Sequence, residues 1–187
     1  SRRQRQMCIR DRLISPKEAV NGNHDVVPSL ALGGLTYGVH NIEMCAAYAA
    51  IANQGTYTQP VYYTQVKDKD GNVILDNTQP LTHTVLKKST SWLLTNALES
   101  VTAAGTAEAA ALSNQPTAGK TGTTQDWNDL TFVGLTEDFV SGVWLGYKER
   151  SELKDHHIKS AQIWYNIIGE YADSMDTGAE YLSLIHI

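Results

Sequence analysis

Cysteine is scarce in this chain, with two in 187 residues. Cys8 lies in an arginine-rich N-terminal stretch. Cys45 sits among alanines in "EMCAAYAA", where a buried helical thiol is the ordinary reading. So few cysteines make neither a disulfide framework nor a zinc cluster. Long apolar runs are missing too, and none approaches the roughly 18 residues of a membrane-spanning helix. The chain also lacks an excess of positive charge. Its net charge is -5, which gives a nucleic-acid role little electrostatic support. Five of the six arginines fall in the first twelve residues, so the remainder is more acidic still. Internal repeats and low-complexity linkers are absent. What is there, 42% hydrophobic and 19% charged residues, is the composition of a folded chain. The length suits one domain with a real core, or part of a larger one.

Both ends look foreign to that domain. "MCIRDR" (7–12) and "LSLIHI" (182–187) resemble translated sequencing-adapter read-through. Residues 13–181 are therefore expected to be the domain portion, with 1–12 and 182–187 set aside like a tag. A basic arm for an acidic partner is the competing reading of the arginines.

Residues 13–41 are glycine-rich and aperiodic, a loop in which "PSLALGG" (28–34) reads as a short buried segment. "NIEMCAAYAAIANQG" (41–55) predicts a helix with Ile42, Cys45, Ala46, Ala49 and Ala52 or Asn53 on its packed face. "PVYYTQVKDKDGNVILD" (60–76) predicts a β-hairpin about Asp70-Gly71. The run from Asp68 to Asn72 fails as a calcium loop, because its glycine comes too early and the closing Glu is missing. "STSWLLTNALESVTAAG" (89–105) predicts a helix capped by Ser89 or Thr90, with Leu94, Ala97, Leu98 and Val101 inward. A short helical turn at 106–112 follows. Strands are expected at 117–124, 130–136 and 139–147, the last two antiparallel about Glu137-Asp138 and covered on both faces. A final helix over 160–171 would bury Ile163, Trp164, Ile167, Ile168 and Tyr171. Trp92, Trp144 and Trp164 read as core, whereas Trp127 is placed to line a groove. His156-His157 reads as a loop feature, since adjacent residues of an extended chain point apart. The fold class is α+β, an antiparallel sheet covered by helices.

"TAGKTGTTQDWNDLTFVGLT" (117–136) carries the chemistry. Gly119-Lys120-Thr121 could end a phosphate-binding loop, G-x-x-x-x-G-K-[ST]. The first glycine of that pattern falls on Asn114, and a β-rich run follows where a helix N-terminus should face the phosphates. The alternative is a strand bearing Lys-Thr-Gly. "KTGTTQDWNDLTFVGLT" resembles the segment of bifunctional penicillin-binding proteins in which KTGTT precedes an Asp-x-x-Asp spacing, here Asp126 and Asp129, and a Phe-Val-Gly strand. "VWLGY" (143–147) matches the next strand. Upstream, "LALGG", "IEMCAAYAAIANQGTYTQPVYYTQVKDKDGNVI" and "LESVTAAGTAEAA" are similar to the same family in the same order. The resemblance covers about residues 28–170.

That resemblance implies an incomplete β-lactamase/transpeptidase-like fold and an acyl transfer from a D-alanyl-D-alanine stem peptide to a serine, then to an amine. β-Lactams would be trapped on the way. Lys120 would supply the field for the substrate carboxylate and help relay a proton within a network of two serines and a second lysine. Thr121 and Thr123 would offer that carboxylate their hydroxyls, and the Thr123 N–H would donate to the oxyanion. Gly122 would let the substrate backbone lie flat on the strand. Thr124 is a further candidate contact, although Thr124, Asp126 and Asp129 read better as fixing the turn after the strand. Residues two apart on a strand share a face, so Thr121 and Thr123 should point into the groove, with Lys120 and Gly122 alternating. Neither cofactor nor metal is implied. The intact protein would work at the extracytoplasmic face of the membrane, held there only by an N-terminal anchor outside this chain.

The departures from the family lie upstream and at single positions. Its nucleophile lies in Ser-x-x-Lys before KTG. The sole literal match, "SELK" (151–154), comes after KTG in a polar loop, so Ser151 is rejected. Ser-x-Asn is absent. The chain is thus expected to be the C-terminal part of the transpeptidase domain, inactive alone. Thr131 stands where an aromatic is common, and His40 where a capping Thr is usual. A β-lactam sensor that stops at the acyl-enzyme is the alternative within the family.

Overall fold

A computed structural model describes residues 21–155 and 157–174. Residues 1–12 with Cys8, His156 and 182–187, read above from the sequence, lie outside the described residues. Residues 21–40 are mostly loop, closed by the buried Asp25, whose Oδ1 accepts the N–H groups of Thr36 (2.8 Å) and Tyr37 (2.9 Å). The segment at 28–34 is a 3-10 turn, Pro28–Leu32, with no buried residue, contrary to expectation. Pro28 starts it with a fixed φ, and Gly33 stops it in the left-handed region at φ 82.

Helix α1 (Asn41–Ala52) follows. His40 takes the N-cap position. The Glu43 carboxylate reaches back and accepts from the His40 N–H at 2.9 Å, with Nδ1 at 3.0 Å. The buried residues are Glu43, Ala46, Ala47 and Ala50, so the packed face is turned relative to the expected one. Alanine is small enough to pack on several sides, which is why its pattern did not settle the rotation. The expected face instead lines an open groove of about 460 Å³, together with Thr58–Pro60 and the 136–140 turn. Cys45 is half-buried there, and burial pushes its thiol pKa up.

Strand β1 (Thr56–Thr58) pairs antiparallel with β4 (Thr82–Thr84), and β2 (Gln65–Lys67) with β3 (Val73–Asp76). The expected hairpin is therefore present but shorter, and residues 60–64 lie outside it. The β1–β4 pair was not anticipated, because three-residue strands are too short to show a period. Tyr57 opposes His83 with ring centroids 5.1 Å apart, and it is buried beside Ala46 and Ala50.

Helix α2 (Lys88–Ala104) buries Ser91, Thr95 and Thr102 and starts after Lys87, without a side-chain cap. The predicted stripe is only half right. Leu98 and Val101 are half-buried, while Leu93, Leu94 and Ala97 are exposed. The buried side of the helix is the one that carries a hydrogen bond to the sheet: Thr102 Oγ1 donates to the Thr117 carbonyl at the entry to β5.

The main sheet is β5 (Ala118–Thr123), β6 (Asp129–Leu135) and β7 (Val140–Gly146), antiparallel in the order β5-β6-β7. Leu130, Phe132, Val133 and Leu135 make β6 buried on both faces. The edge strand β7 is largely half-buried, so the expectation of two covered faces holds for β6 alone. Helix α3 (Ser160–Ser174) crosses one face. Trp164 is its fully buried anchor, with Ala161 and Ala172, and it meets Phe132 edge-on at 5.4 Å. Such a contact adds about 0.5–1.5 kcal/mol to the area buried. Ile167 and Tyr171 are exposed, not buried as the spacing suggested. Helix α1 covers the opposite face, where the Asn41 amide donates to the Gly142 carbonyl at 2.8 Å. The result is the α+β arrangement expected.

Candidate active site

Strand β5 lies at one edge of the sheet, and its register fixes which side chains share a face. Thr121 pairs with Phe132, Lys120 with Val133 and Thr123 with Leu130. A Cβ on Gly119 would fall 2.5 Å from the Phe132 ring, so Gly119, Thr121 and Thr123 share the α3 face of the sheet. Val133 pairs with Gly142, and a Cβ on Gly142 would meet Asn41 and Cys45 of α1. Lys120 and Gly122 therefore share the α1 face. Lys120 and Thr123 are exposed, and Thr121 and Gly122 are half-buried, so neither threonine is sealed under α3.

Backbone direction alternates along β5. The Gly122 carbonyl faces β6, where Thr131 Oγ1 lies at 3.4 Å, and the Thr124 N–H donates inward to the Asp129 carbonyl at 3.0 Å. Thr121 and Thr123 between them turn their backbone groups outward. The Thr121 carbonyl accepts from Lys120 Nζ at 3.0 Å, which folds the ammonium over the outer edge. One strand edge thus gathers a cation, two hydroxyls and the outward N–H of Thr123. An anion with a flat backbone or a carbonyl oxygen fits such an edge.

The turn after β5 is held by its own residues. Thr124 Oγ1 accepts the Asp129 N–H at 2.8 Å and lies 3.0 Å from Asp129 Oδ2. Asp129 Oδ1 accepts the Trp144 indole N–H at 3.0 Å. Trp144, read as core, is 48% exposed and works instead as a clasp between β7 and β6. Asp126 (φ 59) and Trp127 (φ 52) are both left-handed, a conformation that costs non-glycine residues roughly 1–2 kcal/mol. The Trp127 carbonyl accepts the Leu153 N–H at 2.9 Å, which anchors the strained pair. Trp127 itself is half-buried. His157 donates its backbone N–H to Asp155 Oδ1 at 2.9 Å.

Sequence reasoning gave one neighbour no role. Thr106 Oγ1 lies 2.8 Å from Thr121 Oγ1. Thr106 stands in the Gly-Thr-Ala before the strand, and only the fold shows that it reaches β5. Ser151 is exposed in a segment without regular structure. Among the described residues, no three His, Cys, Asp or Glu side chains are grouped to hold a metal ion, and no helix is long and apolar enough to cross a membrane.

Comparison with known proteins shows the family. The family described as "Penicillin binding protein transpeptidase domain" matches residues 17–167. Penicillin-binding protein 1A of Clostridium acetobutylicum is 34% identical over 149 residues, 79% of this chain and 18% of that protein. Penicillin-binding protein 1A of Aquifex aeolicus is 38% identical over 128 residues, 68% of this chain and 17% of that protein. The chain thus spans less than a fifth of either relative. Among solved structures, the penicillin-binding protein PonA1 of Mycobacterium tuberculosis superposes with a TM-score of 0.65 at 25% identity, covering 83% of this chain and 42% of that one; it has also been solved in complex with penicillin V. Matched over most of its length by that family and by these relatives, the chain belongs to the penicillin-binding-protein transpeptidase family.

Proposed function

We propose that this chain supplies the substrate-holding sheet of a serine D,D-transpeptidase that crosslinks peptidoglycan, as the C-terminal part of a domain whose nucleophile is carried upstream. The observation that carries this reading is the open outer edge of β5. A stem peptide would lie along that edge, its terminal carboxylate beside Lys120 and the hydroxyls of Thr121 and Thr123. The upstream serine would attack the penultimate D-alanyl carbonyl, and the Thr123 N–H would stabilise the oxyanion. The terminal D-alanine would leave, and an amine of a second stem peptide would then take the acyl group. Gly122 keeps the strand surface low, and Thr124 serves the turn through Asp129. A β-lactam would enter by the same edge; the penicillin V complex of PonA1 supports β-lactam binding by a protein of this fold. A further observation favours an upstream nucleophile: Ser151 and Lys154 are not on one helical turn. The intact enzyme would be of the bifunctional synthase type and would act outside the cytoplasmic membrane.

Labelling with a fluorescent penicillin tests this. The chain alone should remain unlabelled, and the longer protein that contains it should label one to one. A labelled chain would place the nucleophile within these residues, and an unlabelled longer protein would overturn the activity.

A further inference from the structure

The contact between Thr106 and Thr121 carries an inference that rests on the function proposed above. Thr106 follows the end of α2, and its hydroxyl is 2.8 Å from that of Thr121. The platform beneath it is packed and hydrogen-bonded. The Ala107 N–H donates to the Val101 carbonyl at 3.1 Å, and Ala107 and Ala110 are fully buried against Phe132 and Trp164. One turn earlier, Thr102 is bonded to the Thr117 carbonyl. Thr117 Oγ1 in turn accepts the Leu112 N–H at 3.2 Å. Threonine hydroxyls thus tie this connection to β5 at its entry and again at its centre.

A hydroxyl has one proton and two acceptor sites. Between two hydroxyls, either can donate. If Thr121 donates to Thr106, its proton is spent. If Thr106 donates to Thr121, the proton of Thr121 is free for a ligand, and the bond it receives strengthens the bond it gives. A bound carboxylate accepts only, so it selects the second arrangement. The restricted χ1 of a β-branched residue holds Oγ1 in place, and the bond received from Thr106 leaves the Thr121 proton to turn to the ligand.

We propose that Thr106 is a positioning residue of the transpeptidase site: it donates to Thr121 and thereby aims the Thr121 hydroxyl at the carboxylate of the stem peptide or β-lactam. It does not touch the ligand. Its effect should therefore depend on the ligand's charge, which a purely structural role would not show.

The test uses the longer protein, with acylation rates measured for a penicillin and for its neutral methyl ester. Thr106→Val keeps the shape and removes the hydroxyl. It should lower the second-order rate for the acid about tenfold, the scale of one hydrogen bond lost from a network around an anion. The rate for the ester should stay within about twofold, because a neutral acceptor gains less from an aimed donor. Thr106→Ser restores the hydroxyl and should restore the acid rate, with thermal melting showing that both variants fold. An unchanged acid rate in Thr106→Val, equal losses for acid and ester, or no rescue by serine would each overturn the proposal. If the unmodified protein is not acylated at all, the proposed function fails first and the role of Thr106 falls with it.

Discussion

Gly134 on β6 lies directly against the Trp164 indole of α3, and a Cβ there would come within 2.5 Å of Cε2. The fully buried indole has nowhere to go, because Phe132 and Phe139 flank it and its N–H donates to Ser141 Oγ at 2.6 Å. Gly134→Ala should therefore destabilise the chain by about 1–3 kcal/mol, the usual cost of overpacking a filled core. Chemical denaturation would measure it. An unchanged midpoint would mean that α3 is not seated on the sheet as described.

Asp129 joins three strands at the end of the candidate site, receiving Trp144 from β7 and holding Thr124 after β5. Asp129→Ala strips both partners. It should cost about 1–2 kcal/mol, at the modest end for a charged hydrogen-bond acceptor because Trp144 is half exposed. Trp144 fluorescence should move with it. A stable variant with an unaltered Trp144 environment would show that the clasp does not form.

The Asp68 carboxylate closes the β2–β3 turn. It accepts from Asn72 Nδ2 (2.9 Å), the Asn72 N–H (2.9 Å) and the Asp70 N–H (2.8 Å). These bonds, the Asn72 side chain foremost, hold its pKa below the ordinary carboxylate value. A depressed folded pKa contributes order above the unfolded value and loses it as pH falls through the folded one. The hairpin should therefore hold at neutral pH and loosen only on acidification below the ordinary aspartate range. Titration of the Asp68 carboxyl and the Gly71 amide by NMR would show it. A midpoint at or above the ordinary value would contradict the turn.

Glu99 on α2 behaves oppositely. Burial raises its pKa, against a smaller lowering by Asn96. The folded state then holds the proton more tightly than the unfolded one. Stability on this account is greatest below the ordinary glutamate value and is lost as pH rises through the elevated folded value. Glu99→Gln should melt slightly higher than the parent at pH 7, and the gain should vanish in acid. The site is partly exposed, so the effect is small. A variant that melts lower at pH 7 would sink this assignment.

The parts legible in the sequence were those with long, repeated signals. The two apolar runs joined at Glu137-Asp138 and the KTGTT run marked β5, β6 and β7. The rotation of α1 was not legible, because alanines fit on either side. Nor was the inward face of α2. There Thr102 makes a bond to β5 that no hydrophobic period encodes, and Leu93 and Leu94 are left outside. Thr106 escaped notice for the same reason. Its role comes from a contact fifteen residues along the chain, made only once the 105–110 connection folds back on Phe132 and Trp164.

Under the function proposed above, Lys120 stands at the reacting edge of a transpeptidase. The most direct measurement is the acylation rate of the longer protein by a fluorescent penicillin, with Lys120 and with Lys120→Ala. Loss of one preorganised electrostatic group at such a site should lower the rate on the order of 10²-fold or more, with the melting temperature unchanged. A Lys120→Ala protein that acylates at the parent's rate would contradict the account.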